Sequence, residues 1–379
     1  MMQAGSGAAK AGAPGRNFGI DALRASVTLL VVLHHTSITY GASGGWYYKE
    51  IAPSQTPSGL LLTLFTAVNQ AWFMGLFFLL AGYFTPCAYD RRGAAGFVRE
   101  RLIRLGIPLL AYAFVLHPLT VAIAASARGG SFGATFLGVW SHGRFEPGPL
   151  WFAEALLAFA LPYVLWRALR PNRGDGPDFP SNGALLVAAI LTGATAFLLR
   201  LVWPVGVNVA FLQLGYFASY IVLFFAGCVG SDRRWLENIP QAQKRLWLRI
   251  AWLALPVLPV VALIAPQVGL SGKPEGGWNV PALVYAFWEP FVAWGFIMGL
   301  LVFFQRRLPA PAGIWPSLAR RAFLIYIIHP PIVVAVAVAW GHVDAPSLLK
   351  FAVTGVVSCA LCYLAAGMLL RFPPIARVV

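Results

Sequence analysis

The sequence predicts an all-α integral membrane protein of about ten transmembrane helices, with both termini in the cytoplasm. Three observations carry this expectation. Of the 379 residues, 59% are hydrophobic and only 11% charged, with a mean hydropathy of +0.72. Soluble domains hold roughly 45–50% apolar and about 25% charged residues, so this chain has too little polar surface to face water. Apolar segments near the ~20 residues that cross a bilayer recur along it. Finally, Lys and Arg gather in alternate loops, the pattern that orients spans in a membrane.

Residues 1–17, rich in Gly, Ala and Ser, read as a disordered tail. They do not read as a cleaved signal peptide, because the apolar run that follows is long and carries Asp21, Arg24, His34 and His35. The membrane domain is expected over 18–371, followed by a cytoplasmic tail over 372–379. Its apolar segments run approximately over 19–41, 58–84, 104–126, 149–168, 183–203, 211–230, 249–266, 281–304, 321–340 and 347–370. With the N-terminus inside, the inner loops collect Arg91 to Arg104, Arg167 to Arg173, Arg233 to Arg249, and Arg306 to Arg321, and the tails add Lys10, Arg16 and Arg377. The outer side keeps Lys49, Arg128, Arg144, Arg200, Lys273 and Lys350. The formal net charge of +15 sits in these short clusters, which argues for orientation signals and anionic lipid and against nucleic acid.

Other classes lose support in turn. Among the four cysteines, Cys359 and Cys362 form a C-x-x-C, but inside an apolar segment, where packing is expected over redox chemistry. There is no metal-ligand spacing such as H-E-x-x-H, no G-x-S-x-G elbow, and no pair of broken helices of the kind that marks many transporters.

Ionisable groups inside a membrane cost at least ~2.5–3.5 kcal/mol each on insertion scales, so each is a functional hypothesis. The first span holds the densest set. Arg24 and His35 are eleven residues apart, which returns to within about 20° of one face with a rise of roughly 16 Å. Asp21, Thr28 and Thr39 lie near the same line, whereas His34 points about 100° away. A buried neutral imidazole at His35 suits proton abstraction from a hydroxyl; a core histidine bonded across helices is the structural alternative.

Two carboxylates, Glu154 and Glu289, are stranded in apolar segments. Either orients the histidine, pairs with a buried arginine such as Arg24, or forms a structural bridge. Outside, Trp46, Tyr47 and Tyr48 form one aromatic cluster, and His142, Arg144 and Glu146 a polar one. Sugar recognition and an interfacial aromatic belt both account for them. Arg101 and Arg104, at i and i+3, are expected to share a face and to suit phosphate oxygens, or to be simple positive-inside charge. His329 precedes two prolines and is expected to bind carbonyls that they free.

The stretch FGIDALRASVTLLVVLHH resembles the first helix of the membrane acyltransferase 3 family, in which Arg, ten residues and His recur; here these are Arg24 and His35. RERLIRLGIPLL, GPLWFAEALLAF and AFLIYIIHPP resemble further family segments in the same order, so the likeness runs from about residue 18 to 340. AWFMGLFFLLAGYFTP leans towards the branch with glucan-modifying succinyltransferases. The resemblance implies transfer of an acetyl, succinyl or longer acyl group from cytoplasmic acyl-CoA to a hydroxyl of a carbohydrate or glycan-type acceptor, at the cell (inner) membrane. It implies acyl-CoA as co-substrate with no permanently bound cofactor and no metal. His35, Arg24, Glu154 and Glu289 would then serve catalysis, with Arg101 and Arg104 on the CoA phosphates and Trp46, Tyr47, Tyr48 and His142 on the acceptor. A secondary transporter of a small polar or anionic solute, and a structural subunit, remain the rival classes.

Overall fold

The structure, a computed structural model, describes residues 17–170 and 176–378. The expected tail at 1–16, with Lys10 and Arg16, lies outside the described residues, as does Arg173. The helices in chain order are α1 (Phe18–Thr39), α2 (Pro57–Arg101), α3 (Ile107–Ala111), α4 (His117–Ser126), α5 (Phe132–Ser141), α6 (Trp151–Leu169) and α7 (Asn182–Val202). They continue with α8 (Phe217–Gly230), α9 (Gln241–Ala254), α10 (Val257–Ile264), α11 (Val280–Arg307), α12 (Trp315–Ala339), α13 (Ser347–Leu369) and α14 (Pro373–Val378). No strand forms among the described residues beyond isolated bridges at Tyr40–Ile51 and Val209–Leu212.

Among the described residues, eight helical stretches are long and apolar enough to cross a membrane. All ten predicted segments are helical, but two share the 70-residue stretch Pro57–Ser126, and the sixth is the shorter Leu214–Gly230. At 1.5 Å per residue the long stretch would measure ~105 Å if straight, over three times the ~30 Å hydrocarbon core. It is broken at Gly93, whose φ of 70° and ψ of 174° are open to glycine and strained for other residues. The short helix α14 occupies most of the expected C-terminal tail.

Asn17, at the end of the expected tail, is anchored. Its side chain accepts from the Ile20 N–H (3.3 Å) and donates to Gln305 Oε1 at the foot of α11 (2.9 Å). Such a cap satisfies one of the free N–H groups that begin any helix. The bundle closes through small residues, as helices in lipid do. A Cβ on Gly82 of α2 would stand 1.9 Å from the Phe224 carbonyl oxygen of α8, and one on Gly295 of α11 2.3 Å from that of Trp247 in α9. The most buried spans are α11 and α12 at 67% and α1 at 61%, so α1 runs through the interior. The Gln241–Val268 stretch is 11% buried and turns Leu253 and Leu263 outward, as a lipid-facing rim should.

The α1–α2, α4–α6, α7–α8, α10–α11 and α12–α13 connections all emerge at the end of the bundle that holds the top of α1. There Lys350 of α13, 3% exposed, pairs with Glu50 of the α1–α2 loop and lies over the Trp340 ring at 5.4 Å. Ser347 also donates to the Tyr40 carbonyl. These contacts fasten the loop that carries the aromatic cluster.

Candidate active site

His34 and His35 sit in the last two turns of α1, with His34 buried against Phe73 (ring centroids 5.0 Å). After α1 the chain turns back through Gly41 (φ 113°) and Gly44 (φ 147°), and the fastened loop carries Trp46 onto the histidine. The Trp46 ring stacks on His35 at 4.1 Å and 13°. On α12, His329 stacks on His35 at 5.2 Å and 16°. Three near-parallel rings thus meet at one point in the interior.

The proline pair explains the orientation of His329. Pro330 has no N–H to offer the carbonyl four residues back, which is that of Tyr326. His329 Nδ1 takes this carbonyl at 2.7 Å. A carbonyl only accepts, so Nδ1 carries the proton, and Nε2 of the neutral ring is a bare lone pair. Nε2 is buried and has no partner, as are His34 Nδ1, His35 Nδ1 and Trp46 Nε1. Buried polar atoms without partners are costly in any fold, and four at one locus mark a place kept for chemistry or ligand. The expected carbonyl role of His329 is present, but sequence reasoning missed its place against His35. The fourth-residue offset between Pro330 and Tyr326 was the available signal.

A cavity of about 840 Å³ reaches His34 and His35 from the loop-rich end. Its walls include Gln70, Thr63 and Thr66 of α2, Trp151 of α6, Tyr216 and Tyr220 around the start of α8, and Tyr285 of α11. A second cavity of about 440 Å³ lies at the same loop-rich end, between Tyr47, His117, His142, Arg144 and Glu146. Of the expected outer cluster, Tyr47 and His142 therefore share this second cavity. Tyr47 Oη bonds Tyr112 Oη (3.0 Å) and His117 Nδ1 (3.2 Å), and burial pushes its phenol up. Trp46 reaches inward to His35 and meets Tyr47 edge to face (ring centroids 5.3 Å), and Trp46 and Tyr48 both pack on the small apolar cluster of Ile38, Tyr40, Ala42, Leu62 and Ala337.

The other expected residues fall as follows. Arg24 shares a stripe with His35 and pairs with Asp21 at 3.4 Å, with its side chain 44% exposed. Thr28 and Thr39 bond the carbonyls of Arg24 and His35 on their own helix. Glu289 pairs with Arg200 of α7, neither with Arg24 nor with a histidine. Arg200 is fully buried, donates Nε–H to the Gly215 carbonyl (3.0 Å), and lies over the rings of Tyr285 (4.8 Å) and Tyr216 (5.3 Å). The sequence reading had set Arg200 among the outer charges. Glu154 is half-buried in the first turn of α6 and makes no ion pair among the described residues.

Arg101 and Arg104 diverge. The segment Leu102–Gly106 is π-helical, a wider winding than the α-helix that the i, i+3 reading assumed. Arg101 turns inward, donating to Thr85 Oγ1 (2.9 Å) over the Phe97 ring, while Arg104 is 60% exposed beside Glu100 at 3.4 Å. Cys359 and Cys362 are free thiols in α13.

Long apolar helices around a buried histidine cluster define an integral, multi-pass membrane protein. Comparison with known proteins specifies it further. The family model of the acyltransferase 3 family, described as an acyltransferase domain, matches residues 17–367, and the chain belongs to that family. Similar curated relatives are the glucans biosynthesis protein C of Salmonella schwarzengrund (strain CVM19633) and that of Escherichia coli O1:K1 / APEC. Each is 33% identical over 95 residues, 25% of this chain and 23% of the relative. The chain thus spans about a quarter of the length of the curated relatives it matches. No solved structure matches it.

Proposed function

We propose that this chain is a membrane O-acyltransferase that moves an acetyl or succinyl group from cytoplasmic acyl-CoA to a hydroxyl of a carbohydrate or glycan-type acceptor. The observation that carries the reading is the placement of His35 on an open cavity, backed by two aromatic rings. The family membership supplies the reaction class, and the glucan relatives favour a carbohydrate acceptor.

The neutral His35 imidazole accepts the proton of an acceptor hydroxyl that enters through the cavity. The oxygen attacks the thioester carbonyl, and a tetrahedral intermediate forms. The C–S bond then breaks, and the CoA sulfur leaves with the proton returned by the imidazolium. The stacked Trp46 and His329 rings shield part of the His35 ring from water and fix its plane. On the opposite end, the Arg101 and Arg104 guanidiniums suit the CoA phosphates, with both chain ends on that cytoplasmic side of the inner membrane.

The test is release of free thiol from acetyl-CoA or succinyl-CoA by purified protein, with and without glycan acceptor. Acceptor-dependent release supports transfer. Absence of release with every donor from folded protein would contradict it and favour solute transport.

A further inference from the structure

We infer that the cavity wall opposite the histidines, built by Gln70, Gln213, Tyr216, Tyr220 and Tyr285, is a subsite for an uncharged saccharide, holding sugar units beside the one that is acylated. The inference rests on the acyl-transfer reading for the identity of the reacting group, but the wall's own chemistry stands apart from it.

The lining of the 840 Å³ cavity contains no Lys or Arg, and its one carboxylate, Glu275, is exposed at the rim. An anionic acceptor would enter a space this far inside the bundle with no cation to meet it, which is costly. Neutral donors and acceptors are instead plentiful: Gln55, Gln70 and Gln213 amides, Ser43 and Thr63 hydroxyls, and three phenols. Interleaved rings, including Trp151, match the apolar faces of a pyranose. The volume falls within the roughly 300–1,000 Å³ of small-molecule sites.

The wall is also held in place before any ligand arrives. Gln70 Nε2 donates to Tyr220 Oη (2.9 Å), and Tyr220 stacks on Trp151 (5.6 Å) and Phe78 (4.7 Å). Tyr216 and Tyr285 approach through their hydroxyls at 3.5 Å and share the Arg200 guanidinium beneath their rings. Glu289 cancels that guanidinium's charge, so the buried pair serves as a neutral buttress and does not make the wall an anion site. Gln213 Oε1 accepts from the Gly206 N–H (3.2 Å), which leaves its amide nitrogen for the cavity.

The test uses full-length protein in nanodiscs. Binding of a neutral gluco-oligosaccharide and of its uronate counterpart is measured by calorimetry without acyl donor, beside the acceptor KM for CoA release. The account expects the uronate to bind at least about tenfold more weakly. Gln70→Ala and Gln213→Ala should each weaken neutral binding and raise the acceptor KM about fivefold, the scale of one hydrogen bond. Equal binding of the two sugars by the wild type would overturn the subsite whatever the variants do. So would an unchanged dissociation constant in both folded variants. Glutamine-dependent saccharide binding without CoA release from any donor would support the subsite while contradicting the transferase reading, so the two fail separately.

Discussion

His329 lies ring over ring on His35, 5.2 Å between centroids and 16° from parallel, although 294 residues separate them in sequence. The relationship follows from two local facts. Pro330 and Pro331 disable the backbone donors that would occupy the carbonyls behind them, and His329 fills one with Nδ1–H. That bond fixes the tautomer and aims a lone pair at the interior.

The first prediction separates the two functions of His329. In His329→Asn the side-chain amide can still donate to the Tyr326 carbonyl, but no ring remains against His35. The variant should keep near-wild-type thermal stability in detergent and lose about 10²-fold in acyl transfer, within the range of a mispositioned base. His329→Phe keeps the stack and should lose stability through the unpaired Tyr326 carbonyl, by about 1–3 kcal/mol. Equal activity in wild type and His329→Asn would remove His329 from the site.

Trp46 reaches His35 only because the α1–α2 loop is fastened by Lys350 and Glu50. Glu50→Gln leaves the Lys350 ammonium buried without a charged partner, while Trp46→Ala opens one face of His35. Both should raise acceptor-independent thioester hydrolysis relative to transfer, because water then reaches the imidazole. Measuring CoA release with and without acceptor checks this, and an unaltered ratio in both variants would count against the loop as a cover.

The Arg200–Glu289 pair is buried completely enough that removing one partner strands a charge. Glu289→Leu and Arg200→Met alone should each cost about 3–5 kcal/mol, whereas the double variant should recover much of that loss. Thermal denaturation of the three proteins tests this. Additive losses in the double variant would show that the two residues act independently.

At the other end, Arg101 and Arg104 have different surroundings, so their substitutions should differ. Arg101→Ala leaves Thr85 and Phe97 without their partner and should lower both stability and acyl-CoA affinity. The exposed Arg104→Ala should raise the acyl-CoA KM with little change in melting temperature. Identical acyl-CoA KM in wild type and both variants would place donor binding elsewhere.

The fold was legible wherever one helix suffices to reveal it. Apolar runs marked every span, because hydrocarbon demands a continuous apolar surface of fixed length. The break at Gly93 falls within the basic loop expected between the second and third spans, whereas the π-helical winding at Leu102–Gly106 was not legible, since only backbone geometry records it. The density of ionisable groups in α1 drew attention to His35, which lines the larger cavity. Glu289 stood out as a stranded carboxylate, but its partner Arg200 escaped a reading helix by helix, because only the packing of α7 on α11 brings the two together. Trp46 and Tyr47 do meet edge to face, as a patch in sequence suggests, but that Trp46 reaches His35 while Tyr47 lines the cavity at His117 depends on how the loop folds back.

The central claim is that His35 takes the acceptor's proton in an acyl transfer. Its most direct test is mass spectrometry of a glycan acceptor incubated with acetyl-CoA or succinyl-CoA and purified protein, wild type beside His35→Ala. The account predicts an acylated acceptor with the wild type and none with the variant, while both proteins elute and melt alike. An acylated acceptor from His35→Ala at a comparable rate would contradict it.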